Sequence, residues 1–371
     1  MTIAVLGAGM VGRAIAADLA KQHRVVSFDL SGENLLHLKN RVPEAETVAA
    51  DLSHFHEYKE WLTPFDLVVT AVPGFMGFRT LEAVIRAGKN VVDISFFPED
   101  ALELDSLAKE MNVTVITDCG VAPGMSNLIL GRYNALMKVE AFECYVGGLP
   151  QHPKPPFYYK APFSPVDVIQ EYIRPARMVE DGRIVIKPAL SDRELMDFGE
   201  AGTLEAFNTD GLRSLVHTMA HIPEMKEKTL RYPGHIDLII SLQQAGFFNT
   251  SPLHLQDVSV TPLEFTSRLL VNEWKLGAEE EEFTVMKVIV KGENKRVVYD
   301  LFDRYDPVTK TSSMARTTGY TCTAAANLLI NGLFTEKGVF PPELVGNRTE
   351  CFDFVLNYLA ERQVRWIKTE G

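Results

Sequence analysis

Thr2-Ile3-Ala4-Val5-Leu6-Gly7-Ala8-Gly9-Met10-Val11-Gly12 opens the chain and decides its fold. An apolar run of strand length enters Gly7-x-Gly9-x-x-Gly12, and a helix-compatible stretch follows to Lys21. A second short run, Arg24-Val25-Val26-Ser27-Phe28, ends on Asp29. The order suits a dinucleotide pyrophosphate: one glycine for a tight turn, one for close backbone approach, one for helix-on-strand packing. The helix N-terminus adds free N–H groups and the positive end of its dipole. Gly7, Gly9, Met10, Val11 and Gly12 are therefore expected to hold the cofactor. Asp29 stands where a carboxylate accepts hydrogen bonds from ribose hydroxyls. Its charge would repel a 2′-phosphate, and Leu30-Ser31-Gly32-Glu33 supplies no cation, so NAD is expected over NADP.

Outward from this stretch, short β-branched runs alternate with helical periodicity as far as about residue 121. Strands are expected at 46–50, 66–72, 90–94 and 113–116, with helices near 35–41, 77–87 and 98–111. With the first two strands these predict an α/β fold: a Rossmann, doubly wound parallel sheet covered on both faces. Past Lys138 the strands alternate instead, at 139–146, 284–290 and 297–302, which predicts a mixed or antiparallel sheet with one solvated face. Helical periodicity returns at 321–334 and 348–362. Residues 1–121 plus about 320–371 are thus expected to form the NAD-binding domain. Residues 122–319 would be an inserted α+β domain for substrate binding and oligomerisation.

Composition narrows the partners. Thirty-seven Lys and Arg against 49 Asp and Glu give a net charge of −12, with no basic cluster, which disfavours nucleic acid and anionic membranes. The four cysteines are scattered, with no C-x-x-C, as expected of reduced packing residues in a cytoplasmic protein. No apolar run reaches spanning length, and the N-terminal run reads as a strand rather than a signal peptide. The nine histidines offer no H-E-x-x-H and no Cys/His spacing, so no metal is expected.

In an open parallel sheet, ligands lie over the carboxyl ends of the strands. Asp51 and Leu52 are placed there to meet the adenine, although Asp51 also suits an Asx turn. Ala71, Val72 and Pro73 form a turn able to brace the nicotinamide. Asp93 and Asp118 end the fifth and sixth strands; each is a candidate for binding a cationic substrate or moving a proton, although an Asp at a strand end is more often a cap or turn residue. In the second half, Arg213 and Arg231 have the fork geometry that suits a substrate carboxylate, or a surface ion pair. Tyr159 and His235 are further candidates beside them, with packing and a helix start as the alternatives.

Several ordered motifs carry a family resemblance: Gly7–Arg13, Asp118-Cys-Gly-Val-Ala-Pro-Gly124, Tyr145-Val-Gly-Gly-Leu-Pro150 with Pro155-Pro156 and Tyr158-Tyr159, Asp210-Gly-Leu-Arg213, and Thr229-Leu-Arg-Tyr-Pro-Gly-His235. They resemble the saccharopine dehydrogenase-like proteins over about residues 1–360, and among these the lysine 6-dehydrogenases. The resemblance implies NAD use, a homodimer or homotetramer, and oxidation of the ε-amine of L-lysine to 2-aminoadipate 6-semialdehyde with release of ammonia. A saccharopine or carboxynorspermidine-type dehydrogenase is the alternative, and a non-catalytic NAD-binding protein the third. Saccharopine reductases carry Leu-Asp-Pro-Gly where this chain has Val121-Ala122-Pro123-Gly124, which favours the lysine reading. A free ε-amine has a pKa of roughly 10.4, so deprotonation at pH 7 costs about 4–5 kcal/mol. Asp118 or Asp93 is expected to take that proton, at alkaline pH.

Overall fold

Six short strands follow one another through the N-terminal part: β1 (Thr2–Leu6), β2 (Arg24–Asp29), β3 (Glu46–Ala49), β4 (Leu67–Thr70), β5 (Asn90–Asp93) and β6 (Thr114–Ile116). The structure is a computed structural model and describes residues 1–277 and 280–371. All six strands run parallel, in the order 3-2-1-4-5-6, so the winding reverses between β1 and β4. Ile3 and Val5 join one core cluster while Ala4 and Leu6 join another. Both faces of β1 are thereby buried, which is why it reads as one continuous apolar run. The fold is the expected α/β architecture, a parallel Rossmann-like sheet beside a second, mixed sheet.

Helix α1 (Met10–Leu19) begins directly behind the glycine turn, with Gly9 at its cap and no capping side chain. Its first amides therefore stay available at the sheet's carboxyl edge. The helix expected at 98–111 is divided: a 3-10 turn, Ala101–Leu104, capped by Asp100, precedes Asp105–Glu110.

The second sheet has nine strands. Its centre is Ala141–Pro150, flanked by Glu224–Arg231 in parallel and by Glu282–Gly292 antiparallel. The expected solvated face is absent here, because both sides of these central strands are covered. Met286, Val288 and Val290 pack with Leu128 and Met314 in the core shared with the nucleotide-binding half. Phe283, Val285 and Ile289 turn the other way, onto Val168, Tyr172, Ile236 and Trp274. Alternation in these strands separates two cores rather than core from water.

The C-terminal segment serves both sheets. Helix Ser313–Ile330 lies against α1, and Gly338–Phe340 adds a seventh parallel strand beside β6. Trp366–Glu370 then returns to the second sheet, antiparallel to Lys295–Arg304. Within 320–371, then, the last strand belongs to the mixed sheet. Strand Gly338–Phe340 has only three residues, too few for any periodicity to announce it.

Candidate active site

A cleft of about 1760 Å³ runs along the carboxyl edge of the parallel sheet and under the second sheet. Gly7, Gly9, Met10, Val11, Gly12, Asp29, Asp51, Leu52, Ala71, Val72 and Pro73 all line it. The glycines divide their tasks as geometry requires. A Cβ on Gly7 would lie 2.3 Å from the Ala71 carbonyl oxygen, and one on Gly12 would lie 2.1 Å from that of Gly7. These two positions are closed by backbone. A Cβ on Gly9 would meet nothing within 4 Å and would project into open space, where a pyrophosphate needs room. The residues present therefore fit a dinucleotide.

Asp29 is held firmly at the rim: Oδ2 accepts the Ala8 N–H at 2.6 Å and Oδ1 the Ser31 N–H at 2.7 Å. Asp51 closes an Asx turn, with Oδ1 accepting from the Ser53 amide at 2.9 Å and hydroxyl at 2.7 Å. These bonds hold its carboxyl below the usual range.

The two carboxylates expected at the strand ends are both held by neighbouring side chains. Asp118 lines the cleft, but both of its carboxylate oxygens receive Arg213 Nε at 2.9 Å, and Arg213 Nη1 donates to the Phe97 carbonyl. Asp118 thus shares one N–H between its two oxygens, and Arg213 lies behind the cleft lining. Asp93 is wholly buried beneath the cleft floor, with Oδ1 accepting from the Thr70 hydroxyl at 2.5 Å. Burial raises its pKa to about 7. The strand end that carries Asp93 turns inward against the core, so it cannot meet a ligand directly.

Arg231 does line the cleft, and Tyr159 and His235 support it from behind. Its guanidinium lies 4.3 Å from the Tyr159 ring centroid, and Nε donates to the Tyr172 hydroxyl at 2.8 Å. Burial, with Arg231 adding to it, lowers the His235 pKa to about 3. The ring is therefore neutral: Nδ1–H donates to the Phe157 carbonyl at 2.8 Å, and Nε2 accepts the Tyr172 O–H at 2.9 Å. His235 is no proton acceptor for a substrate.

Asp167, Glu171, Arg174 and Glu227, all in the cleft lining, went unread in the sequence. Asp167, Glu171 and Arg174 fall at i, i+4 and i+7 on and just past helix Pro165–Ile173, whose other side carries buried Val168, Ile169 and Tyr172. A charged stripe of this kind reads as a solvated face; here it faces the cleft. Glu227, Thr229 and Arg231 alternate along Glu224–Arg231, so all three point to one side. Glu227 Oε2 accepts from the Thr209 hydroxyl at 2.8 Å. A Cβ on Gly211 would come within 2.2 Å of that same oxygen, so only glycine leaves room for the carboxyl. Burial raises Glu227 to about 8 and Glu171 to about 7, the latter opposed by Arg231 at 3.3 Å. Arg174 sits 5.6 Å from the Phe96 ring centroid and forms no ion pair among the described residues.

With this geometry in view, the relatives can be set beside it. The saccharopine dehydrogenase NADP binding domain matches residues 3–116, and the saccharopine dehydrogenase C-terminal domain matches residues 120–364. The chain belongs to the saccharopine dehydrogenase family. Its N-terminal part is a Rossmann-type dinucleotide-binding domain. Within this family it is 24% identical over 265 residues to mouse (Mus musculus) mitochondrial alpha-aminoadipic semialdehyde synthase, covering 67% of this chain and 28% of that protein. The chain thus spans under a third of that relative's length. It is also 24% identical over 321 residues to the NADP(+), L-glutamate-forming saccharopine dehydrogenase of Pyricularia oryzae, covering 81% and 70%. The solved apo saccharopine dehydrogenase (L-Glu forming) of Saccharomyces cerevisiae superposes with a TM-score of 0.79 at 18% identity, covering 100% of this chain and 99% of that one.

Among the described residues no group of three His, Cys, Asp or Glu is placed to hold a metal ion. No described helix is long and apolar enough to cross a membrane.

Proposed function

We propose that the chain oxidises the terminal amine of L-lysine, with NAD, to 2-aminoadipate 6-semialdehyde and ammonia. The observation that carries this reading is Glu227, a buried carboxyl in the cleft with a pKa near 8 and no cation paired to it among the described residues. A substrate ammonium supplies the missing charge. The dinucleotide, when bound, supplies the hydride acceptor.

The chain's own residues then have separable tasks. Above pH 8 Glu227 is ionised and holds the ammonium; it takes one N–H proton and leaves the neutral amine. With a free amine near 10.4, transfer to a carboxylate near 8 costs about 3 kcal/mol, less than release to water at pH 7. Desolvation of the ammonium lowers that cost further. Loss of hydride from the carbon and of the proton from nitrogen leaves the imine, which water hydrolyses to the aldehyde and ammonia. Arg174, rather than Arg213, anchors the α-carboxylate, and Glu171 with Arg231 closes the wall between them.

A saccharopine-type reaction is the second reading, favoured by the similarity to the yeast and Pyricularia enzymes. Its substrate, saccharopine, bears three carboxylates. Around the substrate end Asp118, Asp167, Glu171, Asp210 and Glu227 line the cleft with Arg174, Arg231 and Lys275, so carboxyls outnumber cations, which suits a diamino acid better. The deciding experiment follows NADH formation with NAD⁺ and L-lysine, ornithine, cadaverine or L-saccharopine at alkaline pH. Turnover of lysine with ammonia release supports the proposal; turnover of saccharopine alone overturns it.

A further inference from the structure

Helix Pro165–Ile173 of the second domain meets the nucleotide-binding domain at two separate points. The first is Asp167, in its opening turn, where the Ser164 hydroxyl caps the helix by accepting the Asp167 amide at 3.4 Å. Opposite stands the start of helix Gly74–Arg86, whose cap residue is Pro73 and provides no side-chain acceptor. A Cβ on Gly74 would lie 3.2 Å from Asp167 Oδ1 and 2.2 Å from the Phe96 carbonyl oxygen, so three segments converge on one glycine. Burial raises the Asp167 carboxyl, and the Ser164 hydroxyl, the Gly74 amide and the charge of Arg174 oppose it. A carboxylate is well placed against the uncapped, positive end of that second helix.

The other point of contact is Arg174, just past the same helix, 5.6 Å from the Phe96 ring centroid. Seven residues of helix rise about 10 Å, so the two contacts are far enough apart to stop the helix pivoting about either one. Because Gly74 already packs on the Phe96 backbone, Asp167, Gly74, Phe96 and Arg174 close a ring across the cleft. Glu171 lines the cleft between the two contacts. On the facing side, the glycine turn after β1 suits the pyrophosphate and Asp29 the adenosine ribose, which leaves the ends of β4 and β5, with Pro73 and Phe96, for the nicotinamide.

We infer that Asp167 is a positioning residue for hydride transfer, tying the helix that carries Glu171 and Arg174 to the Pro73–Gly74 turn and so setting the distance from substrate carbon to nicotinamide. The inference rests on the amine-oxidising reading of the cleft, in which Arg174 holds the substrate. Reacting atoms must come within roughly 3–3.5 Å, and a displacement of about 1 Å can cost on the order of 10²-fold in rate. The same tie makes occupancy of either side of the cleft favour the other.

Two measurements on the full chain test it. NADH is titrated by fluorescence with and without saturating amine, and turnover is followed with that amine deuterated at the carbon to be oxidised. The amine is whichever of L-lysine and L-saccharopine the unsubstituted protein turns over. In that protein it should tighten NADH by about threefold or more. Asp167→Ala should bind NADH alone within about threefold of normal, which shows that it is folded, yet lose the tightening. Its kcat should fall by roughly 10- to 100-fold with a smaller change in KM, and its isotope effect should rise as hydride transfer becomes limiting. Asp167→Asn keeps an acceptor for the Gly74 amide and should recover most of both losses. Normal kcat and normal tightening in Asp167→Ala overturn the inference, and so does an Asp167→Asn no better than Asp167→Ala. Those outcomes leave the functional reading standing, whereas an unsubstituted protein that oxidises neither amine overturns that reading and this inference with it.

Discussion

Asp118 and Arg213 form a closed pair across the interface of the two sheets, with Nε equidistant at 2.9 Å from both carboxylate oxygens. Only 5% and 6% of the two residues is exposed, and both stand in the left-handed region, at φ +51° and +47°. Side chains rarely adopt that conformation without surrounding contacts to hold it. The pair is therefore a structural clasp beside the site. Asp118→Asn leaves a buried guanidinium uncompensated and should cost about 3–5 kcal/mol in urea unfolding. Adding Arg213→Met to it should recover part of that loss. Unchanged stability with a raised KM in Arg213→Ala would instead return Arg213 to the substrate.

Glu227 links pH to both rate and stability. Its folded pKa of about 8 exceeds the ordinary carboxyl value of 4.5 because burial disfavours the charged form. Below 4.5 both folded and unfolded states are protonated; between 4.5 and 8 only the folded state is. Stability should therefore fall as pH rises through that window, by on the order of 5 kcal/mol if no other group compensates. The rate should move oppositely, rising through pH 8 as the base form appears. Glu227→Gln keeps the shape, should flatten the stability profile, and should lower kcat by roughly 10²–10⁴. A variant retaining its kcat and its alkaline rise would remove Glu227 from the proton transfer.

Arg174 should discriminate substrates by their α-carboxylate. Arg174→Ala is expected to raise KM for L-lysine by about tenfold or more, the effect of losing a charged hydrogen bond of roughly 1.5–3 kcal/mol. Cadaverine, which lacks that carboxylate, should show a far smaller change. Equal effects on both substrates would show that Arg174 shapes the cleft without reading the acid.

The cofactor end was legible because its constraints are local: Gly7, Gly9, Gly12 and Asp29 lie within one strand-turn-helix-strand unit, and backbone geometry dictates them. The substrate end is assembled from segments far apart in sequence. Asp118 looked free because its partner Arg213 is 95 residues away. Glu171 and Arg174 went unread because a helix pattern gives only which side is polar, not what lies opposite. The mixed sheet misled for a related reason, since Met286 and Val285 face two different cores.

His235 gives the opposite pH limb. Its folded pKa near 3 lies below the ordinary 6.5 because burial and Arg231 disfavour the cation. Between 6.5 and 3 only the unfolded state gains the proton, so stability should fall as pH drops through that range. Protonation would also remove the acceptor for Tyr172 O–H and so loosen the hydroxyl that receives Arg231 Nε. Tyr172→Phe should reproduce this second effect at neutral pH, costing about 1–3 kcal/mol for the unsatisfied buried groups. Because Arg231 would be misplaced and not removed, KM should change more than kcat, and the acid limb set by His235 should persist. A Tyr172→Phe enzyme with unaltered KM and stability would mean that Tyr159, Glu171 and the Leu230 carbonyl hold Arg231 without Tyr172.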